Sequence, residues 1–207
     1  MPATAAPPSS PAADRSDSRT ALTGGVVVGA ATGLAVVLFV ATTRRLPPGS
    51  LRGAVEALVV LAAAVVAGFV PGQWSGARTQ DGIAGAAAIG LVGTVVFTAI
   101  DIVVLRPFKA YPWTWDAIGG GSSWWYLPVW WMLGTFVAWM GGIVTAGQAA
   151  RGEATLLRGA LPTVAATVIL AAVARLAGLA VSLPAATGGA FTLVLTALAL
   201  AALARKA

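Results

Sequence analysis

Long apolar runs, each closed by a short cluster of Pro, Gly, Arg or Asp, constrain this chain more than any other feature. They fall over residues 22–42, 54–70, 82–105, 124–147, 161–183 and 186–203. Coiled as helix, about 17–25 apolar residues cross the hydrocarbon layer of a bilayer. In lipid only a helix or a closed barrel satisfies every backbone N–H and C=O, and runs this continuous lack the alternation of barrel strands. The expected fold is therefore all-α and polytopic, with about six transmembrane helices in one domain from residue 21 to 207. Arg175 interrupts the fifth run, and if it marks a loop the count falls to five. Composition agrees: 58% of residues are hydrophobic and 10% charged, where a soluble domain carries about a quarter charged.

Residues 1–20 are rich in Pro, Ala and Ser, with no large apolar side chain after Met1. Such a segment buries too little surface to offset its ordering entropy and is expected as a flexible tail. The second run should stop at Pro71–Gly72, since proline lacks the N–H that continues a helix. Six spans place seven Lys and Arg on the side of the tail and five on the other, with Arg175 left inside a span. The positive-inside rule then puts both termini in the cytoplasm, and the expected location is a bacterial inner membrane.

Aromatic residues are concentrated in one stretch. Seven of the eight tryptophans and both tyrosines lie between Tyr111 and Trp139. Trp and Tyr favour the membrane–water boundary, where an apolar ring meets a polar edge. Trp113, Trp115, Trp124, Trp125, Trp130 and Trp131 are thus expected as an interfacial belt on a loop entering the fourth span. The alternative is a stacking platform for a ligand or lipid.

Small residues recur every four positions on three spans: Gly25, Gly29 and Gly33; Gly82, Ala86 and Gly90; Gly134, Ala138 and Gly142. That spacing aligns them on one face of each helix, where close backbone approach drives association in lipid. Charges within spans are few. Glu56 is expected near a first turn, within reach of water. Asp101 and Arg175 lie at similar depth in spans running the same way, and an intramembrane ion pair between them is expected to offset the cost of burying either.

Chemistry is limited by what is missing. The chain has no Cys and no His, which removes thiolate and imidazole ligands and the commonest general base. No Gly-x-x-x-x-Gly-Lys-Ser/Thr, Gly-x-Gly-x-x-Gly or Gly-x-Ser-x-Gly pattern is present, so phosphate-binding loops and nucleophile elbows have no support. No enzyme activity, metal or cofactor is expected, although a lipid, quinone or carotenoid fits such an apolar chain. The net charge of +6 is spread over loops and tails, which suits anionic lipid rather than nucleic acid. The expected partners are membrane lipids and other membrane subunits. Two functions follow: a non-catalytic accessory or scaffold subunit of a larger complex, packing through its Gly/Ala faces and Trp belt, or a solute-binding or transport protein with its site under the Trp-rich loop.

Overall fold

A computed structural model of the chain describes residues 14–107, 126–152 and 155–205, with the side chains of 126–128 set aside. These residues form α1 (Ser18–Arg45), α2 (Ser50–Ser75), α3 (Gln80–Ile100) continued by a π-turn (Asp101–Leu105), α4 (Tyr126–Ala149), α5 (Leu156–Leu176) and α6 (Leu183–Ala204). Six helices among the described residues are long and apolar enough to cross a membrane. The fold is an all-α polytopic membrane bundle. Its near end carries the start of α1, the α2–α3 and α4–α5 turns and the end of α6. Its far end carries the α1–α2, α3–α4 and α5–α6 connections.

The helices run further than apolarity alone indicates, because polar caps extend them. Asp17 caps α1, accepting from the Thr20 amide at 3.0 Å and its hydroxyl at 2.6 Å. The tail therefore becomes ordered before residue 20. Asp14 reaches across the sequence to cap α3. One of its carboxylate oxygens accepts from the Thr79 hydroxyl (2.5 Å) and from the amides of Thr79 (2.7 Å), Gly82 (3.1 Å) and Arg78 (3.3 Å). The Arg15 amide donates to Ser75 O at 2.7 Å, tying the same segment to the end of α2. Residues 1–13 of the expected tail lie outside the described residues.

Burial pushes the Asp14 carboxyl up, but the Thr79 hydroxyl and the Thr79, Arg78 and Gly82 amides together hold it below its ordinary value. A depressed folded value means the cap contributes fully above the unfolded carboxyl value and is lost as pH falls through the folded one. Asp14→Ala should cost about 1 kcal/mol at neutral pH, the usual worth of a helix cap. The difference between variant and native chain should shrink below about pH 4. A thermal melt in detergent at two pH values checks this, and a pH-independent difference contradicts it.

Two expected helix ends are corrected. Pro71 does not stop α2, which continues to Ser75 and ends at Gly76, whose φ of +62° is left-handed. Inside a membrane bundle neighbouring helices hold the chain around a proline and the local backbone adjusts, and Pro71 is fully buried. The fifth helix lies earlier than expected. Thr155 caps it, Pro162 is accommodated within it, and Gly178, with φ +75°, terminates it before residue 183. Arg175 consequently stands in the last turn of α5, exposed, instead of about two turns inside the end of the span.

The glycine ladders face other helices of the same chain. Gly25, Gly29 and Gly33 pack on α3, and a Cβ at Gly29 would lie 2.6 Å from the Gly93 carbonyl oxygen. Gly90, Gly134, Ala138, Ala86 and Gly142 interlock α3 with α4, while Gly82 lies under the Asp14 carboxylate. A further seam joins α2 and α4, where Gly141 sits on the Gly68 carbonyl and Gly72 faces Thr145 and Gly142. The apolar core lies beside it, built from Phe69, Met140, Val144, Phe191, Leu195 and Ala199, with Phe69 and Phe191 edge to face at 6.5 Å.

Candidate functional site

Close packing at the near end leaves the far half of the bundle hollow. Beyond the Gly68–Gly141 seam, a cavity of about 1100 Å³ opens among five helices, with both α2 and α4 in its lining. That is slightly above the range of ordinary ligand sites, which hold about 300–1000 Å³. Val28, Val36 and Phe39 of α1 and Val60, Ala64 and Ala67 of α2 form one wall. Phe97 of α3 and Trp130, Leu133 and Val137 of α4 form another. Pro184, Gly188, Gly189 and Thr192 of α6 add a further wall, with Ser182 at the far rim, and the space stays partly open to the outside, where the lining residue Leu193 is exposed.

The lining has almost no directional chemistry. No ionisable side chain lines the cavity among the described residues. Its threonines spend their hydroxyls on their own helices: Thr32 donates to Val28 O (2.9 Å), Thr94 to Leu91 O (2.8 Å) and Thr192 to Gly188 O (3.0 Å). A hydroxyl so engaged presents mainly its methyl group to a neighbour. The space therefore accepts an apolar guest and offers a polar one little.

Charged and aromatic groups gather around the far end instead. Trp130 is 45% exposed and lines the cavity. Trp131 donates its indole N–H to the Thr98 hydroxyl at 3.3 Å. Trp113, Trp115, Trp124 and Trp125 lie outside the described residues. Glu56, expected to reach water, is instead buried at 8% exposure. It accepts from Thr43 of α1 at 2.7 Å and Arg52 of α2 at 2.8 Å, clasping the two helices one turn beyond Phe39 and Val60. The four-residue spacing of Arg52 and Glu56 was the signal for half of that arrangement.

The expected Asp101–Arg175 pair is corrected. Asp101, 1% exposed, pairs with Arg106, whose Nε lies 3.0 Å from Oδ2. In a regular α-helix residues five apart point about 140° away from each other. The π-turn, in which the Arg106 amide donates to Asp101 O at 2.9 Å, brings residue 106 round over residue 101. Nothing in the sequence marks that extra residue per turn. Arg175 donates through Nη1 to Val181 O at 3.0 Å, across the α5–α6 turn.

No group of three His, Cys, Asp or Glu stands together as a metal site among the described residues. The arrangement is an apolar hollow, with Trp130 in its lining and the Arg52–Glu56 and Arg106–Asp101 pairs and Arg175 at the same end of the bundle. Compared with known proteins, the chain matches no family model, no curated protein and no solved structure.

Proposed function

We propose that this membrane protein binds an apolar, lipid-like solute in the far-end cavity and acts by holding or passing it, without catalysis. The observation that carries this reading is the cavity itself, large, uncharged and lined by five helices in the far half of the bundle. Hydrocarbon suits an apolar space of that size, because it gains dispersion contacts along the walls. A role as an accessory subunit drew its support from the small-residue ladders. Those faces are occupied within the bundle, and the argument for a ligand is the stronger one. With Arg175 at the far end, the Lys and Arg tally is seven against six, which favours neither orientation.

Gly189 offers the test, because it lines the cavity and a Cβ there meets nothing within 4 Å. Gly189→Trp should fold normally while filling the space. Native mass spectrometry of the chain purified in mild detergent should show a bound lipid-like molecule at one per chain. In the variant, occupancy should fall about tenfold, equivalent to about 1.4 kcal/mol. Identical bound mass and occupancy in both proteins would remove the proposal.

A further inference from the structure

We infer that the solute is an amphiphile with an anionic head, a carboxylate or phosphate held by Arg175 at the cavity rim while its chain lies inside. The inference rests on the cavity reading and adds the chemistry of the ligand's polar end. Arg175 donates one N–H to Val181 O, and that carbonyl belongs to the peptide bond leading into Ser182, the residue at the cavity's far rim. The guanidinium is thus fixed beside the opening by a bond that uses only one of its five donors. No carboxylate pairs with it among the described residues. The other ion pairs of this end are satisfied locally, Arg52 with Glu56 and Arg106 with Asp101.

Ser182 adds a hydroxyl at the same place, and it makes no capping hydrogen bond to α6. A planar guanidinium with a nearby hydroxyl matches the oxygens of a carboxylate or phosphate, to which Arg bonds in pairs. The position suits a headgroup: Arg175 is exposed at the end of the bundle that carries Trp130 and Trp131, bonded to the carbonyl that precedes Ser182 of the cavity lining. A neutral lipid gains the same contacts in the cavity but leaves the arginine's remaining donors to water. Discrimination between head groups therefore falls to this one side chain.

Two probes with the same chain separate head from tail: dibromostearate and the corresponding dibromostearyl alcohol, each read by quenching of Trp130 as the difference between the native chain and Trp130→Phe. At alkaline pH, in neutral detergent, the carboxylate should bind about tenfold more tightly than the alcohol, the scale of one charge-assisted hydrogen bond. Arg175→Gln should weaken the acid to the level of the alcohol and leave the alcohol unchanged. Arg175→Lys should retain part of the preference, which a mere folding defect would not produce. Gly189→Trp should lose both probes. Equal binding of acid and alcohol by the native chain, or an undiminished preference in Arg175→Gln, overturns the head site and leaves the cavity reading standing. Failure of the native chain to bind either probe overturns both.

Discussion

Gly141→Leu should prevent the chain from reaching its folded state. Gly141 rests directly on the Gly68 carbonyl, so an added side chain meets backbone that has no rotamer to change. Overpacking among movable side chains costs about 1–3 kcal/mol, and here the helices themselves must part. The loss should lie at or beyond the top of that range. Gly189→Leu, at the opposite extreme, adds its side chain into open space and should leave the melting temperature nearly unchanged. Recovery of monodisperse protein and a detergent melt compare the two. Equal behaviour of the variants would mean that α2 and α4 do not meet through this seam.

The second large effect is expected at Asp101. Its carboxylate is buried, while the Arg106 side chain keeps 31% of its exposure. Asp101→Leu takes the carboxylate away from Arg106 at the end of a span and should cost about 2 kcal/mol, below the scale of breaking a fully buried pair because the arginine keeps contact with water. Much of that cost should vanish when Arg106→Gln is already present, because the stranded cation is then gone. Combining Asp101→Leu with Arg175→Gln should give simple additivity, since those side chains do not pair. A double-mutant cycle of thermal stabilities measures both couplings. Coupling of Asp101 to Arg175 rather than to Arg106 would restore the pairing inferred from depth along the helices.

That inference shows where sequence reasoning ran out. Apolar length and small-residue spacing are local properties, and they located six helices and the faces of α1, α3 and α4 that meet. The π-turn is different. It changes which residues share a face without changing their identity, so Asp101 and Arg106 looked unrelated. Pro71 misled for a related reason: its missing N–H is a fact of the residue, but the neighbours that let a helix continue through it come from distant parts of the chain. The cap on α3 was equally hidden, since its carboxylate comes from Asp14, 65 residues before Thr79. Of the candidate site, Trp130 and Arg175 were both singled out beforehand. The cavity between them was not, because an empty volume is set by how five helices diverge and no residue type announces it.

The Gly68–Gly141 seam has one more consequence, for motion. Backbone meets backbone there, with Phe69, Phe191 and Leu195 packed alongside, whereas a turn or two away both helices line the cavity with side chains. Separating the tight half means breaking a rigid contact, while widening the loose half disturbs only soft side chains. The bundle should therefore breathe in one leaflet, with α2 and α4 pivoting about their glycines as a hinge does. Backbone amides around the seam should exchange with solvent only on complete unfolding, and those of the far half should exchange through smaller openings. A guest would then enter sideways from the lipid, without any opening of the opposite face.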